Sequence, residues 1–387
     1  MRTWCDISLD NLEHNINQIK SKVGEKTRLC GIVKANAYGH GVEEIARNLV
    51  EQGFDYLAVA FIDEAVEIRM YGITDIPIMI LGNTPKDTVD KLVEYNITAA
   101  VYNLETAQVI SAEAQRQNKT AKIHVKIDTG MSRIGFLTDS KSIEDILSVA
   151  KLPNLEIEGI FTHFACSDCE DEAMTLNQYD KFMKVISELE NHGLSIPIKH
   201  CCNSAAIIRF PHLHLDMVRA GIILYGMYPS DIDYEIDLKP LMQLKTTVIN
   251  IKTLNAGETI SYGATYTVTK PTRVATIAVG YADGYSRLLS GKGRVLVNGQ
   301  FANILGRICM DQCMIDVTNV NNINIGDEVI LFGADENAEL PIEELAANIG
   351  TINYELPCVI NNRVPRCYVK NNKRIKIHNN LSVVKSL

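Results

Sequence analysis

From about residue 29 to residue 224, short apolar runs alternate with segments whose apolar positions recur every three to four residues. The runs LCGIV (29–33), YLAVA (56–60), IPIMIL (76–81), ITAAV (97–101), KIHVKI (122–127), EIEGIFTH (156–163), IPIKHC (196–201) and MVRAGI (217–222) predict eight strands. Between them, VEEIARNLVEQG, DEAVEIRMYG, KDTVDKLVEYN, NLETAQVISAEAQRQN, KSIEDILSVAK and EAMTLNQYDKFMKVISELENHG have helical periodicity. The last gap, NSAAIIRFP, has room for only a small helix. Strands alternating with helices in this way predict a closed (β/α)8 TIM barrel. An open doubly wound sheet is the rival, weakened because no GxGxxG follows the first strand.

After about residue 235 the texture changes. Helical periodicity nearly vanishes, and LMQLKTTVINIKTL, TRVATIAVG, GRVLVNGQFANILG, CMIDVT, GDEVILFG and RVPRCYVK read as strands between Gly and Asn turns. Asn298-Gly299 suits a two-residue type I′ hairpin loop. PIEELAANIG (341–350) is a helix with Gly350 as its stop. The fold class is therefore α/β, with a barrel domain over 1–234 and a mainly β domain over 235–387. The opening WCDISLDNLEHNINQIKSKVG lies outside the barrel count. It reads as a short strand and a helix capped by Ser8 or Asp10, and Trp4 to Ile7 are free to pair with the second domain.

Composition narrows the class. The chain of 387 residues is 46% hydrophobic and 22% charged, ordinary for a globular enzyme. A net charge of -9 argues against a nucleic-acid binder, and the locally basic VKNNKRIKIHNN reads as a solvated strand and turn. No run reaches membrane-spanning length and no signal peptide opens the sequence, so a cytoplasmic protein is expected. Ten cysteines in a chain of this size are expected to stay reduced. CSDC (166–169) has metal or redox spacing but lacks a second pair, so no metal site is expected. Cys201 and Cys202 would point in opposite directions if they lie on a strand.

Catalytic groups of a barrel sit at the C-terminal ends of its strands. Those ends offer Lys34, Lys126 with Arg133 seven residues on, His163, Asn203 with Ser204, and Arg219 leading into Gly221 and Ile222. Lys34 follows apolar strand residues, where an unpaired ammonium is expensive. Schiff-base chemistry with an aldehyde cofactor would explain it, and so would a lysine that snorkels or pairs with an acid. The NSAA and RAGI segments offer phosphate-binding groups, a hydroxyl and a glycine that permits close backbone approach. In the second domain SYGATY, GYADGYSR and CMDQC concentrate tyrosine, glycine and charge, although a tyrosine in a β domain is most often packing.

The words VKANAYGHG (33–41), KIDTGMSRIGF (126–136), THFACSD (162–168), NSAA (203–206), VRAGIILYG (218–226), SYGATY (261–266), GYADGY (280–285), GRICMDQCMIDVT (306–318) and INYELPC (352–358), in this order, resemble the alanine racemase family along essentially the whole chain. The resemblance implies a barrel plus a β domain, pyridoxal 5'-phosphate as cofactor, and a head-to-tail homodimer with shared active sites. It implies a small amino acid substrate and a role in supplying D-alanine for peptidoglycan. By the same resemblance Lys34 carries the cofactor and acts on the D face, while Tyr262 from the other subunit acts on the L face. His163 orients that tyrosine and Arg219 binds the pyridine nitrogen. Tyr38, Asn203, Ser204, Gly221, Ile222 and Tyr354 fall in phosphate-binding words. Arg133, Tyr281 and Met310 match substrate positions, flanked by Cys309 and Asp311. Lys126 matches a lysine that is often carbamylated and would orient Arg133. An arginine stays charged and would leave the pyridine nitrogen unprotonated. Rival readings are a racemase of broader scope or one preferring serine, a decarboxylase of the same plan, and a non-enzymatic cofactor carrier. SYGATY argues against the decarboxylase, and the second domain argues against the carrier.

Overall fold

The computed structural model describes residues 1–379 and 381, so Asn380, the last residue of VKNNKRIKIHNN, lies outside the described residues. The chain forms two compact units. One is Glu13–Lys239, and the other joins Met1–Leu12 to the chain from Pro240 on. The texture change at 235 and the unit boundary at 239/240 are separated by a short irregular stretch.

Strand β1 (Thr3–Ser8) belongs to the second unit, where it pairs with two later strands. Its last residue caps the next element: Ser8 Oγ accepts the Asn11 N–H at 3.1 Å, at the start of helix Leu9–Lys22.

The Glu13–Lys239 unit contains eight parallel strands: β2 (Arg28–Ile32), β3 (Tyr56–Val59), β4 (Ile78–Ile80), β5 (Thr98–Val101), β6 (Ala121–Lys126), β7 (Leu155–Phe161), β8 (Ile198–His200) and β9 (Met217–Ala220). The order is β8-β7-β6-β5-β4-β3-β2-β9. Two backbone bonds bridge the remaining gap, Asp216 N–H to Lys199 O at 3.1 Å and Arg219 N–H to Cys202 O at 3.0 Å. The sheet therefore closes into a barrel. β3, β4 and β5 are buried at every position, as expected for strands covered on both faces. The helices show why their sequences are periodic. In Val42–Glu51 the buried residues are Val42, Ile45, Ala46 and Leu49, one stripe facing the strands. Asn103 and Asp139 cap the helices that follow β5 and β6, accepting N–H groups at 2.8 Å. β8 stops at His200, so Cys201 and Cys202 do not alternate as strand residues. Their sulfurs lie 3.9 Å apart, and both donate to Leu213 O at 3.2 Å.

The second unit continues with β10 (Met242–Leu254), β11 (Thr259–Ile260), β12 (Tyr266–Thr267), β13 (Thr272–Ile277), β14 (Arg294–Val297), β15 (Gln300–Leu305), β16 (Cys313–Asp316), β17 (Glu328–Ala334), β18 (Glu339–Leu340), β19 (Arg366–Lys370) and β20 (Lys373–His378). β10 pairs with β17 along its first half and with β13 along its second, the change marked by an irregularity between Val248 and Asn250. β17, β14, β15, β16, β13 and β10 therefore form a closed ring, and β1, β19 and β20 extend it from β10. The β14–β15 loop is Asn298-Gly299 with φ of 48° and 72°, the double positive φ of a type I′ turn. Helix Ile342–Ile349 ends at Gly350 in the left-handed conformation.

Candidate active site

The barrel's catalytic end begins with a strained turn. After β2, Ala35, Asn36, Ala37 and Tyr38 all have φ between 51° and 54°, one turn of left-handed helix directly behind Lys34. Each such residue costs an L-amino acid about 1–2 kcal/mol, so neighbouring groups must hold it. Glu64 accepts the Ala35 N–H at 2.6 Å and the Ala60 N–H at 2.8 Å. Asn36 Oδ1 accepts the Val42 N–H at 2.8 Å. The buried His40 ring donates through Nδ1 to Tyr38 O at 2.9 Å, with Ala37 O at 3.1 Å. Tyr225 stacks on Tyr38 at 4.8 Å and donates to Ile32 O at 2.7 Å. Strain held in this way is characteristic of functional sites.

The turn delivers Tyr38 to the end of β9. A Cβ at Gly221 would meet the Tyr38 hydroxyl at 3.2 Å and Ser204 Oγ at 3.4 Å. Ser204 Oγ accepts the Gly221 N–H at 3.0 Å. Two hydroxyls thus converge over a residue without a side chain, with buried Ile222 next in the chain. Asn203 is not aimed into this cup. Its Oδ1 accepts the Ala206 N–H at 3.1 Å and the Ser167 hydroxyl at 2.8 Å, which makes it the cap of helix Ser204–Arg209.

Arg219 is 3% exposed and held by four neighbours. It donates to His200 Nδ1 at 2.9 Å, Thr162 O at 2.9 Å, Cys201 O at 3.0 Å and His163 Nδ1 at 3.2 Å. The Phe161 ring lies under both Arg219 and Lys126, at 5.5 and 4.8 Å. Burial pushes the Lys126 ammonium well below the usual lysine range, and the Arg219 and Arg133 charges push the same way. Burial likewise holds His163 well below the usual histidine range, followed by the charges of Arg219, Lys126, Arg133 and Lys34. His163 therefore sits within electrostatic reach of four basic side chains that lie far apart in sequence. Because an arginine only donates, His163 Nδ1 must be an acceptor, and the neutral ring carries its proton on Nε2.

The second unit gathers a separate set. Ser261, at φ 69°, turns the chain at Tyr262, whose ring is 70% exposed. Ser261 Oγ donates to Arg307 O at 2.5 Å and lies 3.6 Å from the Cys309 sulfur. Gly263 makes room for the Arg307 guanidinium, 3.1 Å from where a Cβ would stand. Tyr281 N–H donates to Cys309 O at 3.1 Å and Ala282 N–H to Met310 O at 3.0 Å, an approach that only Gly280 permits. Arg363 ties Asp311 to the buried Asp283, at 2.5 and 2.9 Å. Tyr262, Tyr281, Cys309, Met310 and Asp311 thus come together, while Tyr354 stands half-buried before helix Glu355–Cys358 of this unit.

The sequence reading missed His124, Glu158 and His200, all buried inside the barrel, as well as Glu64 and Tyr225. A signal existed. Lys122, His124 and Lys126 alternate along β6 on one face, polar residues where an inward face is apolar.

A rim lysine behind a strained turn, two hydroxyls over a glycine and a buried arginine define a barrel enzyme of the pyridoxal-phosphate-dependent isomerase class. Comparison with known proteins narrows this. The alanine racemase N-terminal domain matches residues 7–229 and the alanine racemase C-terminal domain residues 241–368. The alanine racemase of Clostridium tetani is 48% identical over 379 residues, 97% of each chain. That of Methanococcus maripaludis is 46% identical, covering 95% of this chain and 98% of its own. Among solved structures, alanine racemase of Clostridium difficile 630 superposes with a TM-score of 0.94 at 44% identity, over 98% of both chains. The Bacillus anthracis enzyme with bound L-Ala-P gives 0.94 at 36% identity, over 99% of this chain and 98% of its own. The chain belongs to the alanine racemase family.

Proposed function

We propose that this chain interconverts L- and D-alanine as a homodimer, using Lys34 of one subunit and Tyr262 of the partner subunit as opposed bases, and so supplies D-alanine for peptidoglycan. Family membership carries the reaction, and the residue roles rest on the geometry above. The observation that carries them is the convergence of Tyr38 and Ser204 over Gly221 behind the turn that begins at Lys34. That cup fits a phosphate: two hydroxyl donors meet where a side chain would stand. Lys34 would hold pyridoxal phosphate as a Schiff base, with Tyr38, Ser204, Gly221 and Ile222 at its phosphate. Bound there, the cofactor supplies an electron sink that acidifies the α-hydrogen of alanine.

The chain's own groups do the rest. Lys34 removes or returns the α-proton on the D face, and the Tyr262 oxygen does so on the L face. Neutral His163, with its proton on Nε2, donates toward that tyrosine. Arg219, permanently charged and anchored through Nη1 and Nη2, would present a remaining N–H to the ring nitrogen. Arg133 holds the substrate carboxylate, and Tyr281 and Met310 narrow the pocket around a methyl group. Burial pushes Lys126 toward the neutral amine, the form that adds carbon dioxide, and as a carbamate it would orient Arg133. The exposure of Tyr262, Tyr281 and Met310 on the β unit, at 70%, 42% and 53%, supports a second copy that covers them.

The test is complementation. Lys34→Ala and Tyr262→Phe should each fail to racemise L-alanine with added cofactor. Dissociated and reassociated as a mixture, they should recover about a quarter of wild-type activity, because half the dimers are mixed and carry one intact site. No recovery from a mixture shown to exchange subunits rules out the shared site, and full activity in either variant rules out its base.

A further inference from the structure

Four polar side chains that the reaction does not itself use form a line through the barrel interior to a fifth, Arg219. They lie on neighbouring strands: Lys122 and His124 on β6, Glu158 on β7, His200 on β8 and Arg219 on β9. Arg219 Nη1 is 2.9 Å from His200 Nδ1, His200 Nε2 is 2.9 Å from His124 Nδ1, and His124 Nε2 is 3.4 Å from Glu158 Oε2. Lys122 Nζ donates to Glu158 Oε1 at 2.6 Å. The arrangement is built for. A Cβ at Gly159 would stand 2.5 Å from the His124 ring, so β7 carries no side chain where that ring lies. Phe161 stacks flat on His200 at 4.8 Å. Burial, and after it the Glu158 carboxylate, push the Tyr56 hydroxyl of β3 above the usual tyrosine range.

The direction of every bond in the line is set by its two ends together, a guanidinium that only donates and a carboxylate that only accepts. A guanidinium has no acceptor, so His200 Nδ1 must offer a lone pair. Both rings are completely buried, and burial holds both below the usual histidine range, hence neutral. The His200 proton is then on Nε2 and points at His124 Nδ1. The His124 proton is on Nε2 and points at Glu158. At that end a carboxylate, which only accepts, closes the line. Reversing His200 would set its N–H against an N–H of Arg219, and reversing His124 alone would set its N–H against that of His200.

We propose that Glu158 is a positioning residue for Arg219: acting through His124 and His200, it fixes both ring tautomers so that the guanidinium meets a lone pair and keeps its orientation at the cofactor's ring nitrogen. The proposal rests on the reading that Arg219 faces that nitrogen. The acceptor that holds the guanidinium in register is thus set two rings away, beside Lys122, whose side chain is 44% exposed. The cofactor end of Arg219 and the Lys122 end of the line are joined without any carboxylate near the reacting atoms.

The experiment uses the cofactor-loaded enzyme with 15N-labelled histidine and reads tautomers from two-bond 15N–1H correlations, beside steady-state kinetics and the cofactor's absorption band. In wild type, His124 and His200 should both carry the proton on Nε2, and a proton on Nδ1 of His200 overturns the proposal without any variant. In Glu158→Leu the Nε2–H pattern of both rings should be lost and the absorption band displaced. Its kcat should fall about tenfold while KM for alanine changes little, the effect of one lost buried partner. In Glu158→Gln the carboxamide oxygen still accepts from His124 while Lys122 turns to solvent, so tautomers, band and kcat should recover. A folded Glu158→Leu enzyme with wild-type tautomers, band and kcat overturns the proposal, as does a Glu158→Gln enzyme as impaired as the leucine variant. If wild type does not racemise alanine, the functional reading fails instead, and the tautomer spectra still decide whether the line exists.

Discussion

Tyr262→Phe separates catalysis from stability more cleanly than any other change in this molecule. It removes one oxygen from a ring that is 70% exposed on its own unit. Within its own chain an oxygen this exposed leaves no buried partner behind, so the expected change in the folding stability of the chain is within about 0.5 kcal/mol. At about 2–4 °C per kcal/mol for a domain of this size, the melting temperature should move by less than about 2 °C. The catalytic cost is much larger. A positioned general base contributes about 10²–10⁴-fold, or about 3–5 kcal/mol of barrier. Circular dichroism should therefore show racemisation slowed by at least about a hundredfold in both directions, since every turnover needs both faces. Exchange of the α-hydrogen in deuterated water should not fall equally. D-Alanine should still exchange through Lys34, while exchange from L-alanine falls with the racemisation rate. A variant that melts like wild type but loses exchange equally from both enantiomers would refute the assignment of one base to each face, as would one that racemises within a few-fold of wild type.

Gly221→Ala should leave the fold intact but crowd the cup, because its methyl would stand 3.2 and 3.4 Å from the Tyr38 and Ser204 oxygens. Titration of the apo-protein with pyridoxal phosphate should show affinity lower by about tenfold or more, one displaced charge-assisted hydrogen bond. Lys126 should give a 13C carbamate signal with labelled bicarbonate, absent in Lys126→Ala; no signal in wild type refutes the carbamate. The buried histidines set a pH dependence. His124, His163 and His200 have folded values below the unfolded value near 6.5, so below that pH the unfolded chain binds more protons. Stability is then full above about pH 6.5 and falls as the pH drops toward the folded values. Each histidine adds a slope approaching about 1.4 kcal/mol per pH unit. Urea unfolding between pH 6.5 and 5 should show this slope, smaller by one proton in His200→Gln, and a flat profile contradicts it.

Much of the fold was legible because it is periodic. The strands β3, β4 and β5 read as apolar runs since both their faces are covered, and the stripe Val42, Ile45, Ala46, Leu49 read as a helix since one face is. Asn298-Gly299 and Gly350 announced their turns because positive φ is costly to most other residues. Lys34, Lys126, His163 and Arg219 were legible as a group because strand ends share one rim of a barrel. The left-handed turn at Ala35–Tyr38 was not, since two alanines and a tyrosine carry no positive-φ signal and tertiary contacts such as those of Glu64, His40 and Tyr225 hold them there.

Sequence by itself determined most of the elements, the barrel and the residue types at its catalytic rim, because local periodicity and strand polarity suffice for these. Tertiary structure alone decided the strand order of the β unit, that Tyr38 and Ser204 meet over Gly221, and that Glu158 lies two histidines from Arg219. Each depends on distances between strands that are tens of residues apart. No local pattern encodes such distances; they appear only when the barrel closes and its interior must satisfy every buried donor.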